Sequence, residues 1–345
     1  MHRIWTIRTL PLAIQGVSLA LQGLILIVTI ARGLMITTPV TRVQRFRRRW
    51  LPLMGALFVL ASLGAAPASA VVTYPTTAPM ILQNISIGDI LANRGNICHS
   101  TFTHVIKNFS DATNTRNYLN AAEACGLKVI AYFSATVNSS LGIVYPARVP
   151  YWVNLVKNHP NLWGYMTVKE PSWTRINASE IRAMYRAFKA ADPNHPVMAL
   201  FGDVPHFGMT ANPYTAGMAD VVMLDWYPVE TAYGGRSRTG TSYVTTGPTN
   251  FKRIRSYVAL RTPGTPIWLM VGTHRNLNPA YHKKQRPTQL LLYRQVREGF
   301  LYLRATGIAF HTWQNTAYQL DQRRDPTMVG WMRGLAAKVQ AGSFQ

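Results

Sequence analysis

Acidic residues are scarce in this chain of 345 residues, where 13 Asp and Glu stand against 36 Lys and Arg, a formal net charge of +23. None of the 13 lies in the first 70 positions, which carry eight arginines, so 71–345 holds 28 basic residues and a net charge of +15. Such a surplus favours anionic partners. Because 71–345 has no Lys/Arg-rich run or nucleic-acid-binding module, we expect no nucleic-acid partner.

Cysteine is equally scarce, with Cys98 and Cys125 alone. The pair is consistent with one disulfide in an oxidising compartment, and two buried thiols are the alternative. No CxxC motif is present and the histidines are scattered, so we expect neither a metal nor a cofactor. The absence of a G-x-S-x-G elbow argues against a serine hydrolase of that type.

Residues 1–70 differ in composition from the rest. Within them, 45–70 has a basic start, an apolar run and an A-x-A cleavage site ending at Ala70, the pattern of a secretory signal. The apolar run 10–35 is long enough to span a bilayer. Either translation begins downstream of that run, the reading we favour, or the run is a membrane anchor. We therefore expect a secreted or cell-surface protein, with membrane contact only through 1–70.

From residue 71 on, strand-like and helix-like segments alternate. The eight predicted strands are 79–88, 102–109, 127–134, 162–171, 195–203, 219–228, 265–274 and 308–315. Predicted helices include 177–193, where Asn177 and Glu180 have capping-box spacing, and 287–307, whereas 229–250 is predicted as a loop. Eight such units in one 71–345 domain predict an α/β fold, the (β/α)₈ TIM barrel. A doubly wound sheet is the alternative, and no glycine-rich phosphate turn supports it.

Carboxylates cluster near the predicted strand ends, which converge on one mouth of a barrel. Glu170 ends the fourth strand and Asp225 the sixth, while Asp203 ends the fifth and Glu230 lies just beyond the sixth. Glycoside hydrolysis needs two carboxyl groups across the scissile bond, one acid and one base or nucleophile. The alternative for Glu170 is an ion-paired strand-end residue, and for Asp203 a pair with a lysine.

Glu170 is the better candidate for the acid. Three aromatic residues nearby in the sequence would raise its pKa by desolvation if they packed against it, namely Trp163, Tyr165 and Trp173. Asp225 is preferred as the second carboxylate. Strand parity places Asp225 on one face with Val221, Met223 and Tyr227, so Tyr227 would also face the mouth. Because the fourth and sixth strands are not neighbours, we expect a carboxyl separation of about 6.5–9.5 Å, as in inverting enzymes, rather than about 5 Å.

Three segments resemble (β/α)₈ glycoside hydrolases of the large retaining clan: "HPNLWGYMTVKEP" (159–171), "ADVVMLDWYPV" (219–229) and "GIAFHTWQN" (307–315). The resemblance implies that Glu170 is the acid/base and that Trp313 is a platform for a sugar ring. The chain departs from that clan at the seventh strand, where the clan carries a glutamate nucleophile and this sequence has no carboxylate between Thr265 and Pro279.

Further predicted contacts with substrate come from strand ends. Trp313 and Gln314 suit stacking plus a hydroxyl hydrogen bond, and core packing is the alternative for Trp313. His274, with Arg275, could hold an anionic sugar group, or could belong to a solvated basic loop. The sequence therefore predicts an exported, monomeric glycoside hydrolase-like barrel that takes a carbohydrate, an anionic one among the candidates. A catalytically inactive carbohydrate-binding barrel at the cell surface is the alternative.

Overall fold

The computed structural model describes residues 78–202, 204, 207–210, 212–226, 230–231, 237–238, 241–273, 287–315, 320–321 and 325–342. For 230–231, 237–238, 241–246, 314–315 and 320–321 only the backbone is described. The predicted signal segment, 1–70, lies outside the described residues and stays a prediction. No helix in the described part of the chain is both long and apolar enough to cross a membrane.

Eight parallel strands close into a barrel, which confirms the predicted fold. The strands are β1 (Met80–Gln83), β2 (His104–Phe109), β3 (Lys128–Phe133), β4 (Leu162–Lys169), β5 (Val197–Phe201), β6 (Val221–Trp226), β7 (Ile267–Gly272) and β8 (Gly307–His311). Each strand pairs with the next one along the chain, and β8 pairs with β1 to close the barrel.

Helices surround the barrel. They are α1 (Ile87–Leu91), α2 (Ala112–Ala124), α3 (Val149–Val156), α4 (Ala178–Ala191), α5 (Thr241–Arg261), α6 (Gln289–Glu298) and α7 (Pro326–Gln340). The predicted capping box of α4 is present, with Asn177 accepting from the Glu180 backbone N–H and the Glu180 side chain accepting from that of Asn177.

Two predicted boundaries were wrong. The helix predicted over 287–307 leaves α-helical geometry after Glu298, and Gly299–Leu303 form a π-helical turn that ends at Arg304 in a left-handed conformation. The loop predicted over 229–250 gives way to α5 at Thr241. Buried Phe251, Ile254 and Val258 give α5 a core-facing side, and this packing outweighs the weak helix propensity of its first residues.

The hydrophobic core has two layers, because alternate residues of each strand point into the barrel or out toward the helices. The inner layer includes Ile81, Ile130, Met198 and Met223, whereas residues such as Leu82 belong to the outer layer. With both faces covered, the strands read as continuous apolar runs, which is why they were recognisable in the sequence. The inner layer fills the barrel up to the strand ends, where polar side chains replace apolar ones.

The predicted disulfide between Cys98 and Cys125 is confirmed, and it joins the loop before β2 to the end of α2. Replacing both cysteines with serine should lower the free energy of unfolding by about 3–4 kcal/mol, the chain-entropy value for a closed loop of this length. Urea denaturation of oxidised protein measures the loss. As a control, a reducing agent should destabilise the wild type and leave the double variant unchanged; equal midpoints for the two oxidised proteins would contradict the prediction.

Candidate active site at the strand ends

Glu170 follows β4 directly and has an unusual backbone. Its φ of 48° and ψ of 63° lie in the left-handed region, which is rare for a residue other than glycine. Hydrogen bonds hold this conformation: the Glu170 N–H donates to the Leu200 carbonyl (2.7 Å), and the Glu170 carbonyl accepts from the Trp173 N–H (2.9 Å). Strained backbone of this kind concentrates at functional sites. Pro171 then opens a helical turn, Pro171–Thr174, that fixes the direction of the chain.

Asp225 lies near the end of β6 with its side chain in the barrel interior. Val221 and Met223, four and two residues earlier, belong to the inner core layer, so the predicted strand parity is confirmed for them. Asp225 is only 5% exposed, and its backbone neighbour on β7 is Met270. Tyr227, predicted to share this face, lies outside the described residues.

Gly202, immediately after β5, brings Glu170 and Asp225 together. An ideal Cβ atom on Gly202 would lie 2.9 Å from Asp225 Oδ1 and 3.1 Å from Glu170 Oε1. Since both oxygens lie that close to one point, they are at most about 6 Å apart, the sum of the two distances. The Asn212 side-chain amide donates to the Gly202 carbonyl and so fixes this position. The glycine is required by this close approach, because its φ is not in the left-handed region.

Replacing Gly202 with alanine should therefore displace the carboxylates and lower any turnover that depends on this pair by about 10–100-fold, the scale on which a misplacement of about 1 Å acts. The fold should survive, so the melting temperature should stay within a few degrees. Gly334→Ala is the matched control, because its added Cβ meets nothing within 4 Å. Wild-type turnover by the Gly202→Ala variant would show that the two carboxylates tolerate being pushed apart.

Lys169 adds a cation to the same mouth. Its ammonium lies over the Tyr132 ring, 4.4 Å from the ring centroid. Burial lowers the pKa of Lys169 to about 8, and the neighbouring Glu170 carboxylate acts in the opposite direction. Tyr132 belongs to the inner core layer at the end of β3, so the Lys169 ammonium lies on the β3 side of the mouth.

Gln83, the last residue of β1, is the polar member of the mouth on the β1 side. It is 2% exposed and pairs in register with Ile106 of the inner layer. No described residue makes a hydrogen bond to Gln83 Oε1. Sequence reasoning missed Gln83, Lys169, Tyr132 and Gly202. For Lys169 a signal was available, since it directly precedes Glu170 at the end of an apolar strand.

Trp313, predicted as a sugar platform, is buried in the outer core layer and is 1% exposed. Its indole N–H donates to Asp89 Oδ2 (3.2 Å), and its ring lies close to Gly95 and Val329. That position matches the core-packing alternative and leaves no ring face for a sugar.

The aromatic residues predicted to desolvate Glu170 lie elsewhere. Trp163 packs against Trp268 and His104 at the opposite end of the barrel interior. The Tyr165 hydroxyl donates to Asp192, and Trp173 is 69% exposed. Two of the rings pack away from Glu170 and the third is mostly exposed, so they do not form the predicted apolar surroundings of this carboxylate.

The remaining predicted site residues stay predictions. Asp203 and His274 lie outside the described residues, and for Glu230 and Gln314 only the backbone is described, in two short antiparallel pairs. At the end of β7, Thr273 donates from its N–H and its hydroxyl to the His311 carbonyl. In the described part of the chain no group of three or more His, Cys, Asp or Glu side chains could hold a metal ion.

Comparison with known proteins gives a fold likeness. No protein-family model matches the sequence, and no curated protein matches it. Similar structures include the GH5_18 protein of Streptomyces cattleya, solved with Manb1-4GlcNAc (TM-score 0.54, 12% identity, covering 76% of this chain and 80% of that one). Two β-galactosidases are also similar. That of the haloarchaeon Halorubrum lacusprofundi has a TM-score of 0.55 and 10% identity, and the match covers 76% of this chain and 58% of that one. That of Rahnella sp. R3 has a TM-score of 0.55 and 12% identity, and the match covers 79% of this chain and 58% of that one.

These likenesses define the class of fold: the chain is a TIM barrel of the kind found in glycoside hydrolases. The chain spans less than two thirds of the length of the two β-galactosidases.

Proposed function

We propose that the chain is a glycoside hydrolase in which Glu170 is the proton donor and Asp225 is the second carboxylate. The observation that carries the proposal is the meeting of these two carboxylates around Gly202 at the barrel mouth. Asp225 is buried and Glu170 is half-buried, and two carboxylates this close repel each other unless they are used or compensated. Paired carboxylates at such a mouth suit glycosidic bond cleavage.

The separation favours retention of configuration. Asp225 Oδ1 and Glu170 Oε1 are at most about 6 Å apart, which is closer to the 5–5.5 Å between the carboxyl groups of retaining glycosidases than to the 6.5–9.5 Å of inverting ones. The longer separation expected from the sequence assumed that an intervening strand keeps β4 and β6 apart. Because β5 is followed by a glycine, no side chain stands between the two carboxylates.

In the proposed reaction, Glu170 protonates the glycosidic oxygen while an Asp225 oxygen attacks the anomeric carbon. The bond to the leaving group breaks and a glycosyl ester forms on Asp225. Glu170, now a carboxylate, removes a proton from water, which attacks the anomeric carbon and releases Asp225. Asp225 thereby acts as the nucleophile, a role that a glutamate on the seventh strand has in the clan that the sequence resembles.

The place of action is a proposal that rests on the sequence. The signal-like segment 45–70 supports export, so we propose that the barrel acts on carbohydrate outside the cell or at its surface. The inactive carbohydrate-binding barrel remains the second candidate, since β7 lacks the usual carboxylate.

A screen of neutral and acidic oligosaccharides tests the proposal by the release of new reducing ends. We expect the wild type to hydrolyse at least one glycan and the Glu170→Gln/Asp225→Asn double variant to hydrolyse none. The double variant should still bind that glycan in isothermal titration calorimetry. Binding of glycans without hydrolysis by either protein would establish the inactive barrel instead.

A further inference from the structure

The Lys169 ammonium lies in the candidate active site without an ion pair within 4.0 Å among the described residues. It donates no hydrogen bond to any described residue and lies over the Tyr132 ring. Two other lysines have oxygen partners: Lys189 pairs with Asp220 (3.3 Å), and Lys128 donates to the Pro160 carbonyl (3.0 Å). Lys107 also lies over a tyrosine ring, that of Tyr118 (5.2 Å), so the position of Lys169 beside the two carboxylates is what distinguishes it. The Lys169 side chain is half-buried, so an anion bound beside its ammonium would be screened less by water than at an open surface.

The Glu170 carboxylate acts on this charge but forms no ion pair with it within 4.0 Å. That carboxylate turns toward Gly202 and Asp225, on the β5–β6 side of the mouth, whereas the Lys169 ammonium turns toward Tyr132 on β3. The two consecutive side chains therefore diverge, and a sugar ring at the carboxylate pair would have the ammonium on its β3 side. Gln83 Oε1, buried on the interior face of β1 without a partner among the described residues, offers an acceptor for a hydroxyl of the same ring.

We propose that Lys169 binds the carboxylate of a uronic acid sugar, so that the preferred substrates are acidic glycans. The inference rests on the proposed function, which it extends to a substrate class. The net charge of +15 on 71–345 favours the approach of such a polymer. A lysine in this position forms a charge-assisted hydrogen bond with the carboxylate, and a neutral sugar offers no such partner.

Calorimetric titration with one pair of probes tests the inference: a glucuronic acid-containing oligosaccharide and the same oligosaccharide after chemical reduction of its carboxyl groups. The parent protein is Glu170→Gln, which leaves the probes uncut. It should bind the acidic probe at least about 10-fold more tightly, the scale of one charge-assisted hydrogen bond. Adding Lys169→Met should bring the ratio near one by weakening acidic binding, with affinity for the reduced probe changed less than about 3-fold.

Lys169→Arg is the matched control, because it keeps the charge and should retain a preference for the acidic probe. Its melting temperature and that of Lys169→Met identify any loss of fold. A preference that survives Lys169→Met, or equal binding of both probes by the parent, would overturn the assignment. So would a sulfated neutral oligosaccharide that binds more tightly than the uronic acid probe.

Hydrolysis assays separate this inference from the proposed function. If the wild type cleaves neutral glycans as well as acidic ones and Glu170→Gln cleaves neither, the result supports the proposed hydrolase and contradicts the role of Lys169 in substrate choice. If acidic probes bind through Lys169 and no glycan is cleaved, the result supports the anion site at Lys169 and contradicts the proposed hydrolase.

Discussion

Glu170→Gln should lower turnover of a natural glycan by 10²-fold or more, the usual contribution of a general acid. Glutamine has nearly the shape of glutamate, and the hydrogen bonds that hold the left-handed backbone involve main-chain atoms, so fold and glycan affinity should remain. Turnover number, melting temperature and calorimetric affinity measure the three quantities. Glu123→Gln, a substitution of a half-exposed side chain on α2, is the control and should have wild-type turnover.

The leaving group makes this prediction specific. A glycoside of an acidic phenol needs little protonation, so its first cleavage step should be slowed far less by Glu170→Gln than cleavage of a natural glycan. Equal losses on both substrates would assign Glu170 a role other than proton donation, and a variant that keeps more than a tenth of the natural activity would remove it from the reaction.

Asp225→Asn should lower turnover by about 10³-fold or more, the scale on which loss of a nucleophile acts. Asparagine fits the buried position but its amide cannot form the glycosyl ester. The loss should therefore be similar for natural glycans and for glycosides of acidic phenols, unlike that of Glu170→Gln.

Asp220→Asn is the matched control at the other end of the same strand. Asp220 accepts from the Tyr185 hydroxyl (2.7 Å) and the Val197 N–H (2.9 Å), so its replacement should affect stability and leave the chemical step intact. If Asp225→Asn hydrolysed both substrates at rates near those of the Asp220→Asn control, Asp225 could not be the nucleophile.

The fold was largely predictable because its signal is local. Parallel strands buried on both faces appear as apolar runs, and their rhythm with helices defines a barrel. Glu170 and Asp225 were predictable for the same reason, since strand ends and strand parity follow from short stretches of sequence. The start of α5 and the end of α6 could not be predicted, because tertiary packing determines them.

The details of the site depend on contacts that sequence separation hides. The closeness of Glu170 and Asp225 requires Gly202 between them, which follows from the pairing of β5 and β6. The direction of Lys169 follows a register shift between Met166 and Lys169 in the pairing of β4 with β5. Trp313 is buried through its contact with Asp89, 224 positions earlier, so its place at a strand end did not predict exposure.

Covalent trapping tests the pairing of Glu170 with Asp225 most directly. An activated 2-deoxy-2-fluoro glycoside of the hydrolysed sugar forms the glycosyl ester faster than water removes it, because fluorine destabilises the oxocarbenium-like transition state. Mass spectrometry with peptide fragmentation should find one fluoroglycosyl group on Asp225 of the wild type and none on Asp225→Asn. A label on Glu230, or rapid turnover that releases the inverted anomer without any label, would contradict the proposed catalytic pair.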